Sequence, residues 1–374
     1  MNKISSVKKA VTLLGFIIAL VVSINSGLLA QHNNSEPQEN WEDEIVDEIA
    51  NEEFKAGDMI IEHITDSYEW HIITIGETHV NIPLPVIFYD ESEWHIFMSS
   101  AFHHADDHNG YFISHNNFNA GKIVRLDSEG NEIRPVLDIS ITKNVLAIFM
   151  SIFFMMFVFI SVANSYKKRK GKAPKGLQSF VEPIILFVRD DIAKASIGEK
   201  KYEKYLPFLL TVFFFILLNN LLGLIPFFPG GANITGNIGV TGVLALFTFI
   251  ITSFSGNKAY WMHLVNAPGV PWWLKIPIPL MPIVEIMGVF TKPFVLMVRL
   301  FANITAGHII ILGFISLIFI FGNISEGLGY GVSIVSVGFS IFMGILELLV
   351  AFIQAYVFTL LSALYFGMAT EEHH

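Results

Sequence analysis

The chain has 374 residues, 53% hydrophobic, 13% aromatic with 34 Phe, and only 15% charged, which excludes an ordinary soluble domain of this length and indicates a membrane protein. The formal net charge of −10 is unevenly spread: most acids lie between positions 31 and 142, whereas Lys and Arg gather at the N-terminus and in short loops, which argues against nucleic acid as a partner. With no cysteine, disulfides, thiolate nucleophiles and sulfur-ligated metals are excluded on this chain.

Residues 1–30 place Lys3, Lys8 and Lys9 before an apolar run from Val11 to Val22, then small residues ending at Ala30. That is the pattern of a secretory signal peptide cleaved near Ala30; a first membrane anchor is the alternative, but about a dozen unbroken apolar residues is short for a span. Residues 31–142 read as a separate, acidic, exported region. Its opening, NNSEPQENWEDEIVDEIANEEF, has the composition of a disordered or loosely helical tail. The stretch MIIEHITDSYEWHIITIGETHVNIPLPVIFY then alternates branched and polar residues between turn signals, which predicts a small β-rich domain. Nine of the 13 histidines fall here, including His103, His104 and His108 in HHADDH. Without a helical frame that segment reads as a hydrated loop, with a transition-metal site as the alternative, and no chemistry or cofactor is assigned to it.

From Val145 the character changes. Val145 to Ala163 is 19 residues without a charge, close to the roughly 20 that a helix needs to cross the hydrocarbon. The basic run YKKRKGKAPKG follows, with Lys167, Lys168, Arg169, Lys170, Lys172 and Lys175, and the positive-inside rule places it in the cytoplasm. Gly176 to Lys194 has the spacing of an amphipathic helix lying on the inner membrane face. Leu206 to Phe227 and Ile238 to Ser255 are the next two spans, joined by the uncharged FPGGANITGN, and the Trp- and Pro-rich connector from Gly256 to Met281 belongs at the inner interface. Two long apolar segments close the chain, Pro282 to Phe321 and Gly331 to Met368, turning at FGNISEGLGYG. About 40 helical residues reach roughly 60 Å against a hydrocarbon core of roughly 30 Å, so both are expected to tilt or lie partly in the membrane plane, with Pro293 as a candidate kink. The fold class is thus an all-α polytopic membrane protein of about five membrane helices plus one in-plane helix, behind a β-rich or partly disordered N-terminal region.

The first long segment carries few ionisable groups: Glu285, Lys292, Arg299 and His308. The first three recur every seventh position, which at about 100° per residue keeps them within roughly 20° of one direction per step. Asn303 and Ala306 extend that stripe, and small Ala306 and Gly307 would admit another helix close to Arg299. His308 points to the other side. The second long segment carries Glu347 and Gln354, again on one face. In an antiparallel hairpin facing positions have a nearly constant sum; Arg299 with Gln354 gives 653 and His308 with Glu347 gives 655, which sets a polar layer beside the arginine and a titratable layer one step away.

A plainer reading ends the membrane segment at Arg299 and treats it as a snorkelling anchor. Against it, the preceding residues from Pro282 to Val298 are apolar apart from Glu285 and Lys292, so no polar loop lies within reach. A charge at the bilayer centre costs roughly 2.5–3.5 kcal/mol even on the lenient insertion scale, which favours a use for it. A histidine beside a glutamate adds the ingredients of a proton path.

RLFANITAGH, with VEIMGVFTKP before it and LELLVAFIQAYVFTLLSALYFGMATEEHH after it, resembles subunit a of the F-type ATP synthase; NNLLGLIP, from Asn219 to Pro226, is similar to that family's second span. The likeness covers about residues 143–374, the membrane domain. It implies that Arg299 matches the family's essential arginine, Asn303 and Gln354 its polar neighbours, Glu285 a residue of the inward half-channel and Lys292 a nearby base. His308 and Glu347 match the acid and histidine of the outward half-channel with the two residue types exchanged, and Asn237 stands where many members have aspartate. The implied partners are a ring of c subunits, the b-subunit peripheral stalk, the remaining synthase subunits and membrane lipid. No GxxxxGKS/T loop cradles phosphate here, so the resemblance implies a non-catalytic ion-translocating subunit. Two other classes remain: an ion-coupled secondary transporter, for which no inverted repeat is visible, and a membrane anchor presenting the exported domain.

Overall fold

The computed structural model of the chain describes residues 56–75, 78–103, 107–114, 119–225, 228–265 and 280–371. The expected signal peptide, the acidic opening and the centre of HHADDH lie outside these residues. Among the described residues no cluster of three or more His, Asp or Glu is arranged to hold a metal ion.

The N-terminal region opens with a short helix, α1 (Ala56–Ile64). The sequence reading placed strand from Met59 onward; instead Thr65 ends a helical turn, donating from backbone and hydroxyl to the Ile61 carbonyl. Eight strands follow: β1 (Glu69–Ile75), β2 (Thr78–Pro83), β3 (Pro85–Asp90), β4 (Glu93–Met98), β5 (Tyr111–Ile113), β6 (Ile123–Leu126), β7 (Glu132–Ile133) and β8 (Leu137–Asp138). They form three antiparallel sheets, β1-β2, β4-β3-β8 and β5-β6-β7. Period-two alternation turns Val86, Phe88 and Asp90 of β3 inward, onto Tyr68, Tyr111 and Ile123. Asp90 is buried among apolar groups because Arg125 Nε (2.8 Å) and the Tyr111 hydroxyl (2.9 Å) both donate to it. Burial pushes its carboxyl up, and those bonds outweigh it, leaving Asp90 below the usual carboxylate range.

The remaining described elements are helices: α2 (Lys143–Lys168), α3 (Leu177–Phe187), α4 (Tyr202–Gly223), α5 (Ile238–Ser255), α6 (Lys258–Val265), α7 (Leu280–Ile324) and α8 (Glu326–Thr370). Among the described residues five helices, α2, α4, α5, α7 and α8, are long and apolar enough to cross a membrane. The amphipathic segment after the basic run is α3, continued by a wider helical turn over Val188–Lys194 and one more turn, Ala195–Ile197. Its buried residues are Gln178, Val181, Val188, Ile192, Ala193 and Ile197, while Phe180 is exposed. Helix α4 ends four residues before the expected Phe227, since a residue preceding Pro226 is driven out of the helical region. The connector after α5 contains α6, which the Pro-rich composition of its remainder had obscured.

Helices α7 and α8 have 45 residues each, about 68 Å of helix, and α7 runs unbroken through Pro293 instead of ending or separating there. They pair as an antiparallel hairpin, and the expected loop shrinks to the single residue Ser325, whose N–H bonds the Phe321 carbonyl while its own carbonyl accepts from Gly329. Leu296, Leu300 and Ile304, one turn apart, seat α7 on the bundle. At its far end α8 approaches Ala195–Ile197 so closely that a Cβ on Gly367 would overlap the Ser196 carbonyl. The last α8 carbonyls are held there: Lys201 Nζ donates to Thr370 (2.8 Å), and Asn257 donates from its backbone to Ala369 (3.1 Å) and from its side chain to Glu371 (2.7 Å).

Candidate functional site

The hairpin is the least covered part of the membrane domain: 17% of the apolar window in each of its helices is buried, against 39–50% in the other three. Along that open face of α7 lie Arg299, Asn303 and Ala306, all exposed. Arg299 stands near the middle of a 45-residue helix and makes no ion pair among the described residues. Gln354, opposite in the expected register, is buried, and no hydrogen bond joins it to Arg299.

The titratable layer is joined. His308 Nδ1 lies 3.8 Å from Glu347 Oε1, with the glutamate side chain 5% exposed. Gly307 makes this possible, because a Cβ there would overlap Glu347 Oε1. The small residue thus admits Glu347 of α8, while Ala306 beside it is exposed. Among the described residues neither Glu347 oxygen accepts a hydrogen bond.

Several groups missed in the sequence complete this layer. The other imidazole nitrogen, Nε2, faces Gly223 at the end of α4, at 3.8 Å from where its Cβ would be. Asn220, one turn earlier, donates to the Ala351 carbonyl (3.3 Å), a turn along α8 from Glu347, and accepts from the Thr235 hydroxyl (2.6 Å). Thr235 belongs to the 228–237 segment, which is largely buried at Ala232, Asn233, Ile234 and Thr235. Asn237, the residue replacing an expected aspartate, caps α5 by accepting from the Gly239 N–H (2.9 Å).

At the other end of the hairpin, Glu285 comes within electrostatic reach of Tyr260 on α6. Lys292 Nζ sits 5.7 Å from the Tyr365 ring centroid, and Tyr365 in turn lies within electrostatic reach of Arg299. Thr252, Tyr260, Lys292 and Tyr365 share a cavity of about 10 Å³, room for about one water molecule. Tyr365 was legible in principle, since it stands eleven residues after Gln354, within about 20° of the same helix direction. Tyr260 sits on the unrecognised α6. Polar groups therefore step from Glu285 to Arg299 on one side, and from Arg299 toward His308, Glu347 and the 228–237 segment on the other.

Comparison with known proteins identifies the family. A family model described as ATP synthase A chain matches residues 145–367. A second, described as a domain of unknown function, matches residues 59–152, which spans the β-rich region and the first turns of α2. The protein named ATP synthase subunit a from Chloroherpeton thalassium is 46% identical over 244 residues, covering 63% of this chain and 69% of that protein. ATP synthase subunit a 2 of Chlorobaculum tepidum is 50% identical over 240 residues, 62% of this chain and 64% of that protein. ATP synthase subunit a of Chlorobium phaeobacteroides strain BS1 is 44% identical over 294 residues, 71% of this chain and 82% of that protein. The first of these models covers more than half of the chain, from the start of α2 to the last turn of α8, and the chain belongs to the ATP synthase A-chain family.

Proposed function

We propose that this chain is the stationary, proton-translocating subunit of an F-type ATP synthase, with Arg299 dividing two half-channels that open against a rotating c-ring. The observation that carries the reading is a permanent cation on the uncovered face of a long apolar hairpin, with half-buried His308 against buried Glu347 on one side and the Glu285–Lys292–Tyr365 series on the other. The transporter and anchor alternatives give no account of that uncovered charge. The open apolar face fits a ring of c subunits and lipid, and a b-subunit stalk and the other synthase subunits complete the assembly. ATP chemistry belongs to those other chains.

The basic segment after α2 supports placing the Glu285 end in the cytoplasm and the β-rich end outside the inner membrane. In the same reading residues 1–30 are a signal peptide, 31–142 an exported region and 143–374 the membrane domain.

A guanidinium stays protonated, so Arg299 relays no proton; it acts as a fixed barrier. A ring carboxylate arriving about 4 Å away gains roughly 4 kcal/mol at an effective dielectric of 20, enough to hold it ionised and release its proton. That proton leaves by way of Lys292, Tyr365 and Glu285. The emptied carboxylate moves on and is reloaded from the His308 and Glu347 side, with Asn303 and Gln354 lining the passage beside the barrier. Each charge moved supplies roughly 2.3 kcal/mol per 100 mV, which turns the ring only if the barrier does not leak. Arg299→Ala is expected to abolish ATP-driven proton pumping in inverted membrane vesicles while the assembled complex remains. Undiminished pumping overturns the assignment.

A further inference from the structure

The β-rich region is docked on the membrane domain at the outward end of the site. Helix α1 packs on α7. Asp66 caps α2: it accepts from the Thr142 hydroxyl (2.7 Å) and the Asn144 N–H (3.0 Å), and the Lys143 N–H bonds the Ser67 carbonyl (2.8 Å). Trp70 goes furthest. It lies on β1, yet is 3% exposed and belongs to the same apolar core as Ile148 and Ile152 of α2 and Ile216 of α4. Its ring meets Phe228 edge-on, with centroids 5.3 Å apart and planes at 71°.

Phe228 begins the segment that lies over the titratable pair. From there the chain runs through Ala232, whose carbonyl lies 3.5 Å from a Cβ placed on Gly223, to Thr235, which is tied through Asn220 to the α8 backbone beside Glu347. Inside this otherwise apolar packing, Asn233 Nδ2 and Asn219 Oδ1 are buried with no hydrogen-bond partner. Such atoms are stations for water: Asn233 Nδ2 has an N–H left to donate to it, and Asn219 Oδ1 can accept from water or face a small cation. Trp70, Phe228 and the 228–237 segment thus form one continuous stack above His308 and Glu347.

We propose that the described part of residues 56–142 forms a fixed roof over the outward half-channel, with Trp70 as the positioning residue that clamps segment 228–237 and restricts the passage to water and small cations. This rests on the reading of His308 and Glu347 as the outward side. A region whose family has no assigned function thereby acquires one: excluding bulky solutes from a proton inlet while leaving it wet. Capping α2 with Asp66 fixes the roof to the first span, so it does not swing on a tether.

The chain has no native cysteine, so Ala232→Cys supplies its sole thiol, beneath the clamp. In intact membranes carrying the whole synthase, this chain's labelling from the outer side is measured with silver ion and with a bulky maleimide. With Trp70 present, silver reacts and the maleimide is slow. Trp70→Ala should raise the maleimide rate about tenfold, the scale set by loss of one buried aromatic pair, with the silver rate within about twofold and Trp70→Phe restoring selectivity. A maleimide rate that does not change overturns the roof, and so does an equal rise for both reagents, which marks general loosening. Loss of pumping in Arg299→Ala is read separately, so a failed roof and a failed channel assignment are told apart.

Discussion

Gly307→Ala isolates the physics of the titratable layer in one methyl group. Considered on the helix alone, alanine is favoured over glycine by up to about 1 kcal/mol, so the change would be expected to stabilise α7. The new Cβ, however, would overlap Glu347 Oε1 and crowd Cδ and Cγ, and Glu347 is buried, with little room to withdraw. Overpacking of this kind costs about 1–3 kcal/mol, which offsets the helix gain or reverses it. The carboxylate is the movable part, and it moves away from His308, from which it is now 3.8 Å. A displacement of about 1 Å costs on the order of 100-fold where a step depends on geometry, so pumping should fall by at least about tenfold. Gly313→Ala is the control: it lies on the same helix, and a Cβ there meets nothing within 4 Å. Proton pumping by inverted vesicles, normalised to the assembled complex and to ATP hydrolysis, is the assay. If Gly307→Ala and Gly313→Ala pump equally, the close approach of Glu347 to α7 has no part in proton transfer.

Two further outcomes follow from the same geometry and from the N-terminal region. Exchanging the pair, His308→Glu with Glu347→His, should pump better than either single variant, because contact within 3.8 Å couples the sites; losses that simply add would show them to be independent. In the β-rich region, Asp90 is held below its ordinary value of 3.8, so its contribution to stability is present above that pH and is lost as the pH falls through the lower folded value. Tyr111, pushed up to about 12 from 10 by burial and its bond to Asp90, contributes below pH 10 and loses that contribution as the pH rises past about 12. Protection of the β5 and β6 amides, corrected for the intrinsic pH dependence of exchange, should therefore fall toward both extremes, and Asp90→Asn should flatten the acid limb; an unchanged acid limb would refute the role of Asp90.

What the sequence made legible was what repeats. Hydropathy located the five spans, Ile238 to Ser255 to the residue, because an apolar run bounded by Asn237 and Gly256 leaves the helix no other limits. The position sum of 655 anticipated the His308–Glu347 contact because two straight helices joined by a short turn keep one register. The partner of Gly307 was not legible: periodicity says which face a small residue is on, but which side chain enters the gap depends on the crossing of two helices. The docking of Trp70 on Phe228 was hidden for a similar reason, since it joins positions far apart in the chain through no repeating pattern. Helix α1 was missed because branched residues in a short run suit strand and helix alike, and the capping of the run settles it.

The pinning of α8 at both extremities has a mechanical consequence. A turning neighbour drags tangentially on whatever it touches, and a rod free at one end would slip lengthwise or unwind under that load. Here the rod is folded back on its twin through a single residue at one tip, and its terminal carbonyls are latched by Lys201 and Asn257 at the other. If a ring of c subunits turns against this flank, as proposed, its torque is taken up as elastic bending along α8 instead of being lost to axial slip.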